Sequence, residues 1–332
     1  MKILEVATEA PPYKGGISRL VGLLSNGLKL RGHQVHILTP NIRFREFKIS
    51  SIPFRRYDDY DVIHVHGPTP FLSDLMFLTN AKSPIVYTHH AEICWFSEKL
   101  SKIYRGFHRL LAKRARVIIV HSYDYARLFK GANVVVVRAP CAFRPQGDFS
   151  INKKTKPFTV LYVGQFRPYK GIDVLIRAAM VLRDVNFIFV GEGYLKPRFV
   201  KMAKGLKNIK FVGGIGDDEL KSLYEQAHMV CLPSINTTEA YGLVLIEGAL
   251  YGCVPLASNL IGVRENIAEL KGLLVEPGSY MSIVKNIHIL SNDMNLWADL
   301  AKRSQNAARK YVSIYTPEYY AKRHEELFRK CL

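Results

Sequence analysis

The chain has 332 residues, 48% of them hydrophobic and 23% charged, with 23 glycines and 16 prolines. That is globular composition, which excludes a disordered chain, a collagen-like repeat and a coiled coil, and the length suits about two domains of roughly 150 residues each. The 47 Lys and Arg against 28 Asp and Glu leave +19, a charge that calls for an anionic partner: nucleic acid, an anionic membrane or a phosphorylated small molecule.

Taken in chain order, residues 3–7 read as a buried strand, followed by the turn-rich Pro11-Pro12-Tyr13-Lys14-Gly15-Gly16. Leu20, Leu23, Leu24, Leu28 and Leu30 then set a helical pattern, and residues 32–38 a second strand. Strand, glycine loop, helix and strand in this order make a βαβ unit, hence a parallel sheet covered by helices. Further strands are expected at 61–66, 84–88, 117–120 and 134–137. Residues 145–157 are polar and aperiodic and read as a linker. A second βαβ series opens at 158–164 and continues through a helix at 174–182 and strands at 186–190, 209–212 and 229–232. Lys-, Arg- and Tyr-rich helices close the chain from Trp297. The expected architecture is α/β, with two wound parallel sheets whose carboxyl ends face a shared cleft.

The five cysteines are Cys94, Cys141, Cys231, Cys253 and Cys331, spaced so that neither a disulfide framework nor a zinc site is suggested. The first residues reach an acid too soon for a signal peptide, and no apolar run is long enough to span a bilayer. A reducing cytoplasmic setting is the simplest expectation.

The most informative stretch runs from Glu239 to Leu250, where two glutamates, Glu239 and Glu247, stand seven residues apart with Gly242 and an apolar run between them. Glu247 falls within a helix and Glu239 in the loop before it. A helix start gathers backbone N–H groups at the positive end of the dipole, a seat for phosphate, while carboxylates accept hydrogen bonds from sugar hydroxyls. On spacing alone, an acid near a helix start plus a surface acid reads equally well.

This segment resembles the E-x7-E signature of retaining GT-B glycosyltransferases of family four. Gly15-Gly16, the stretch from Asp61 to Pro68, Thr88-His89-His90, Val163-Gly164 through Lys170-Gly171, and Gly252 to Pro255 follow in that family's order and cover most of the chain. The resemblance implies a GT-B fold of two Rossmann-like domains, an acceptor-side domain at 1–147 and a donor-binding domain at 148–311, with residues 312–332 packing back on the first. It implies that Glu239 holds hydroxyls of the transferred sugar and Glu247 the ribose of the nucleotide. Tyr241, Gly242, Leu243 and Val244 would offer main-chain N–H groups to the diphosphate or sugar, with Gly15 and Gly16 doing the same from the other domain. Lys170 matches the lysine that neutralises the diphosphate, and His90 the histidine that contacts the transferred sugar. One departure stands out: the family places arginine directly after Gly164, and this chain has Gln165, with Arg167 two residues on as the compensating cation.

Other readings remain open beside these. Gly15-Gly16 could be a plain tight turn, Lys170 a solvated loop lysine and His90 a structural histidine. His64 and His66 share one strand face, yet no carboxylate or cysteine stands at ligand spacing beside them, so packing and hydrogen bonding are expected of them rather than metal ligation. Asp217-Asp218 reads as a helix N-cap with an acidic first turn, and Asp58, Asp59 and Asp61 precede a strand, so no catalytic metal is expected. From Phe96 to Arg116 a helical wheel places Lys99, Lys102, Arg105, Arg109, Lys113 and Arg116 on one arc and Leu100, Ile103, Tyr104, Phe107, Leu110 and Leu111 on the other. Arg114 lies inside the apolar arc, so the helix should end before it. Such a helix lies on an anionic membrane or buries its apolar face in the domain core.

The expected activity is transfer of a sugar from a nucleoside-diphosphate donor, with no further cofactor, to a glycan or lipid-linked acceptor, on the inner face of the membrane if the basic helix binds there. The enzyme rival is a sugar-nucleotide epimerase or a phosphorylase on the same scaffold. The non-enzyme rival is a basic nucleic-acid-binding protein, which lacks any reading module here, so specific nucleic-acid binding is not expected.

Overall fold

The computed structural model describes residues 1–13, 15–40, 42–44, 47–49, 57–79, 81–94, 97–144, 154 and 156–332. The chain divides into two units, Met1–Ala142 with Ile314–Leu332, and Phe143–Ser313. The boundary read at 147/148 and most of the expected linker lie outside the described residues.

The first unit runs β1 (Lys2–Val6), α1 (Gly16–Leu30), β2 (Gln34–Leu38), β3 (Ile42–Phe44), β4 (Phe47–Ile49), β5 (Val62–Gly67), α2 (Ser73–Met76), β6 (Ile85–His89), α3 (Glu98–Ala112), β7 (Val117–Val120), α4 (Tyr123–Ala126) and β8 (Val134–Val136). Six strands form a parallel sheet in the order β2-β1-β5-β6-β7-β8, and β3 and β4 form a separate antiparallel pair. The apolar runs that mark β1, β5 and β7 in sequence are buried because helices cover the sheet. Ile3, Val62, Val86 and Ile119 meet Leu24 and Leu28 of α1 there.

The second unit runs β9 (Thr159–Val163), α5 (Ile172–Val181), β10 (Asn186–Val190), α6 (Lys196–Met202), β11 (Ile209–Val212), α7 (Asp217–Gln226), β12 (Met229–Leu232), α8 (Leu243–Leu250), β13 (Val254–Ser258), α9 (Val263–Glu269), β14 (Leu273–Val275), α10 (Tyr280–Asn292) and α11 (Met294–Ile314). Its parallel sheet has the order β11-β10-β9-β12-β13-β14. Its core joins Phe158, Val160, Phe187 and Phe189 to Trp297 and Ala301 of α11. The last helix, α12 (Pro317–Arg329), belongs to the first unit, where Tyr320, Ala321 and Phe328 join its core.

Two readings need correction. The N-cap of α7 is Gly216, and Asp217 and Asp218 occupy its first turn, where acids complement the helix dipole. The arcs drawn for residues 96–116 do not match the faces the fold uses, as set out below. The helix itself ends at Ala112, before Arg114. No helix of the described residues is long and apolar enough to cross a membrane.

Candidate functional site

In the second unit the strand order reverses direction between β9 and β12, and ligands of wound sheets bind beside such a switch point. The loops leaving these two strands carry most of the donor-side residues read from the sequence. After β9 come Gly164, Gln165, Phe166 and Arg167, then a single 3-10 turn, Pro168–Lys170, ended by Gly171 at φ 64°. Gly171 serves by close approach as well: a Cβ there would lie 2.0 Å from the Pro233 carbonyl oxygen of the loop after β12. Ile235 N–H donates to Tyr169 O at 2.8 Å, so the two loops are stitched together.

That stitching sets Lys170 over Glu239. Lys170 Nζ donates to Glu239 Oε2 at 2.7 Å, and Ser234 Oγ donates to the same oxygen at 2.7 Å. The pair is largely desolvated, with side chains 14% and 7% exposed. Burial alone would lower the Lys170 pKa, but the Glu239 carboxylate outweighs it and holds the ammonium protonated, raised above the ordinary lysine value. Gln165 does not stand apart from Arg167: its Oε1 accepts from Arg167 Nε at 2.7 Å. The glutamine that replaces the family's arginine therefore orients the cation two residues later.

Gly242 caps α8 at φ 76°, a left-handed conformation suited to glycine, and a Cβ there would meet Leu232 Cδ2 and Leu245 Cδ1 at 2.9 Å. Asn266 of α9, fully buried, donates through Nδ2 to the carbonyls of Tyr241 at 3.0 Å and Gly242 at 3.3 Å. With both carbonyls pinned on one side, the first amides of α8, at Leu243 and Val244, lie at a helix N-terminus, which leaves such amides without intrahelical acceptors. Tyr241 anchors the turn by pairing its hydroxyl with that of Tyr311 at 2.8 Å. Glu247, inside α8 and 2% exposed, accepts from Tyr224 Oη at 3.0 Å. Asn266 and Ser234 carry no sequence signal of their own, since one lies beyond the motif and the other is an ordinary loop serine.

In the first unit, Gly15 is the N-cap of α1 in extended conformation at φ −171°, and a Cβ at Gly16 would meet nothing within 4 Å. His90 follows β6, donates its N–H to Gly67 O at 2.8 Å and is 1% exposed. Its ring lies between two other imidazoles: Nε2 is 3.0 Å from His66 Nδ1, and Nδ1 is 3.2 Å from His121 Nε2. His89 turns the other way, to the Tyr87 hydroxyl at 3.0 Å and to Glu92 at 3.3 Å.

His64 and His66 do form hydrogen bonds, as expected, but the premise behind that reading is corrected. A carboxylate does stand beside them, because parallel pairing sets Glu5 of β1 opposite His64 of β5. Glu5 Oε2 lies 2.8 Å from His64 Nδ1 and 2.6 Å from His66 Nε2. The three groups gather within 4.8 Å, close enough to ligate an ion. The atoms a metal would need are those that hydrogen-bond one another here, so an acceptor carboxylate between two imidazole donors accounts for the cluster. The carboxylates before β5 are also engaged: Asp61 accepts from Lys2 N–H at 2.7 Å and Asp58 from Lys82 N–H at 3.2 Å.

Helix α3 departs furthest from its sequence pattern. Its inward face is polar: Tyr104 Oη donates to Asp74 at 3.0 Å, and His108 contacts Asp74 at 2.6 Å and the Tyr87 hydroxyl at 2.7 Å. Arg105 and Arg109, assigned to the solvated basic arc, turn inward to Glu92 at 3.3 and 2.9 Å. The apolar arc is split. Leu111 is buried, but Leu100, Ile103, Phe107 and Leu110 are 54%, 61%, 53% and 66% exposed. Lys99, Lys102, Lys113 and Arg114 stand exposed alongside them.

Residues 143–311 match the family described as glycosyl transferases group 1, and residues 46–138 the one described as glycosyltransferase family 4. The O-antigen chain mannosyltransferase C of Escherichia coli is 26% identical over 99% of this chain and 98% of its own. The D-rhamnosyltransferase WbpZ of Pseudomonas aeruginosa is 29% identical over 74% of this chain and 69% of its own. Among solved structures, sucrose-phosphate synthase from Thermosynechococcus elongatus superposes with a TM-score of 0.79 at 18% identity, covering 99% of this chain and 98% of that one. HepE of Anabaena, solved with UDP, superposes with a TM-score of 0.72 at 19% identity, covering 99% and 100%. Two wound parallel sheets with these likenesses define a GT-B glycosyltransferase. Within that class, the chain belongs to the glycosyl transferases group 1 family.

Proposed function

We propose that this glycosyltransferase moves a sugar from a nucleoside-diphosphate donor to an acceptor hydroxyl with retention at the anomeric carbon, and without a metal ion or other cofactor. The observation that carries the reading is the Lys170–Glu239 pair set at 2.7 Å beside the glycine-capped start of α8. A fixed ammonium next to helix N-terminal amides is an electrostatic complement to the charge that grows on a departing diphosphate. The mannosyl- and rhamnosyltransferase relatives and the UDP bound to HepE support the same donor class.

In this mechanism the bond from the anomeric carbon to the phosphate oxygen breaks, and a bond to the acceptor oxygen forms on the same face. The acceptor proton passes to an oxygen of the released diphosphate. Lys170, Arg167 held by Gln165, and the amides of Gly242, Leu243 and Val244 receive the leaving charge, with Gly15 and Gly16 as further amide donors. Glu239 exchanges its bond to Lys170 for sugar hydroxyls, Glu247 takes the ribose, and His90 exchanges one of its two imidazole contacts for the transferred sugar. A thermal-shift panel of nucleoside diphosphates and their sugars tests this, since a ligand that selects the folded state raises its stability. One base series should stabilise the wild type and fail to stabilise Glu247→Ala, and no response to any series would refute the donor assignment.

The exposed side of α3 favours a lipid-linked acceptor. Leu100, Ile103, Phe107 and Leu110 form an unburied apolar strip flanked by Lys99, Lys102 and Lys113, the arrangement that lies in an anionic lipid interface. This reading sets the protein at the cytoplasmic membrane face and assigns its excess charge to lipid rather than nucleic acid. Flotation with anionic vesicles should carry the protein, and equal flotation or equal failure with neutral vesicles would remove the case.

A further inference from the structure

The chain of buried rings around His90 can be read by counting protons. Four contacts run in series: Glu5 Oε2 to His66 Nε2 at 2.6 Å, His66 Nδ1 to His90 Nε2 at 3.0 Å, His90 Nδ1 to His121 Nε2 at 3.2 Å, and His121 Nδ1 to Val137 O at 2.8 Å. Each contact needs one hydrogen. The two ends, a carboxylate and a backbone carbonyl, supply none when Glu5 is ionised. Three neutral imidazoles supply three, so one contact would set two lone pairs against each other. His64 does not help. Its Nδ1 lies 2.8 Å from Glu5 Oε2 and its Nε2 2.7 Å from Thr88 Oγ1, so both its nitrogens are engaged off the chain and it supplies a hydrogen to none of the four contacts.

We propose that Glu5, His66, His90 and His121 form a proton wire holding four protons, one more than an ionised carboxylate and three neutral imidazoles carry. The fourth proton closes every contact and makes the set electrically neutral, which matters because the four side chains are at most 2% exposed. An unmatched buried charge or an unmade buried hydrogen bond is disfavoured there. Burial acting on each ring separately opposes its protonation: it lowers His66 and His90 and takes His121 to about 4. Glu5 runs the other way, since burial would raise it, but His64 and His66 hold it below the ordinary carboxylate range. An anion fixed at one end of the wire is what makes a cation on it tolerable.

The extra proton can sit on His66, His90 or His121 with all four contacts intact, and if it moves to Glu5 that carboxyl donates to His66 and every contact runs towards the Val137 carbonyl, which accepts in all of these states. No heavy atom has to move between these states. Among the described residues, the charged and titratable groups facing the wire are His64 from β5, His89 from β6, Arg138 after β8, and Tyr320 and His324 from α12. The proton count stands on the hydrogen bonds alone. Its use in turnover rests on the reading that His90 holds the transferred sugar, where a proton shifted onto His90 would be offered to a sugar oxygen in exchange for one imidazole contact.

The test is nitrogen NMR of the full chain with 15N-labelled histidine at pH 8.5, where exposed imidazoles are neutral. Couplings between ring nitrogens across the hydrogen bonds identify the His66–His90–His121 set without variants. Summed protonation over its six nitrogens should equal four; three protons, all on Nδ1, with Glu5 protonated, is the same wire with its fourth proton on the carboxyl. Three protons, all on Nε2, would overturn the proposal. Glu5→Gln should lose one imidazolium, while His64→Gln keeps it. If Glu5→Gln does not fold, the wild-type count decides alone. Failure of nucleoside diphosphates to bind would refute the proposed function and leave the count untouched, whereas a failed count with turnover intact would refute the wire only.

Discussion

The Lys170–Glu239 pair can be weighed by a double-mutant cycle of Lys170→Met, Glu239→Gln and the two together. At 2.7 Å and an effective dielectric constant near 20, the Coulomb attraction is about 6 kcal/mol. Desolvation of two largely buried ions cancels most of that. Lys170→Met removes the ammonium from a carboxylate that is 7% exposed and also accepts from Ser234, which should cost about 3 kcal/mol. Glu239→Gln keeps a hydrogen-bond acceptor for the ammonium and should cost about 2 kcal/mol, and the double variant about 3 kcal/mol, leaving a coupling of about 2 kcal/mol. Urea unfolding in a Trp95→Phe background makes Trp297, buried in the core of the second unit, the reporter of that unit. Because the Lys170 pKa is raised from 10.5, the pair's contribution is present below that value and lost only as pH climbs through the higher folded value. The coupling should therefore be constant from pH 6 to 9. A coupling under about 0.5 kcal/mol would refute the reasoning. In turnover, Lys170→Met should lose about 100- to 1,000-fold in kcat.

Gly242→Ala should destabilise the second unit by about 3 kcal/mol, summing a left-handed backbone penalty of about 1–2 kcal/mol and the crowding against Leu232 and Leu245; urea unfolding measures it, and a cost near zero would mean the turn adapts. Glu92 is held at about 2, against an ordinary 4.5, because the histidine and arginine beside it, His89 and Arg109, overcome the opposing effect of burial. Its contribution, about 3 kcal/mol, is present above 4.5 and lost as pH falls towards 2, so Glu92→Gln should flatten that part of the acid-stability profile, and an unchanged profile would exclude Glu92 as its source. On α3, Leu110→Asp and Lys99→Glu with Lys102→Glu should each abolish flotation with anionic vesicles while changing stability by less than about 0.5 kcal/mol, as exposed positions do. Loss of fold in either would show that the strip packs on the protein instead.

What the sequence made legible was periodic or local. Apolar runs bounded by glycine marked the parallel strands, and the glycine-interrupted run from Glu239 to Glu247 marked a loop leading into a helix. What stayed hidden was contact between segments. Asn266 fixes the Gly242 turn from 24 residues away, and nothing about an asparagine in α9 announces that task. Helix α3 misled for a related reason: a wheel sorts residues by polarity, whereas the inward face was chosen by the partners Asp74, Tyr87 and Glu92. Those partners favour Tyr104, His108, Arg105 and Arg109, so apolar residues were left outside. The replacement of arginine by Gln165 was visible, but its consequence, a glutamine aiming Arg167, needed coordinates.

Glu5 shows how register turns a weak signal into a specific cluster. In the central strands of a parallel sheet with helices on both faces nearly every residue is buried, as in β1 and β5, so the side to which a carboxylate points cannot be read from apolar alternation. The pairing of Glu5 with His64, and of His64 with Val86 on the next strand, settles it. His66 shares the face of His64 because strand side chains repeat every second residue, and this brings both imidazoles to one carboxylate oxygen. A one-residue slip between β1 and β5 would turn Glu5 to the opposite face and bury a carboxylate without either imidazole. The polar cluster therefore penalises the wrong register by more than apolar packing alone would. The same alignment carries the chain onward to His90, which joins a residue at the start of the sequence to one that sequence reading could place only after a strand.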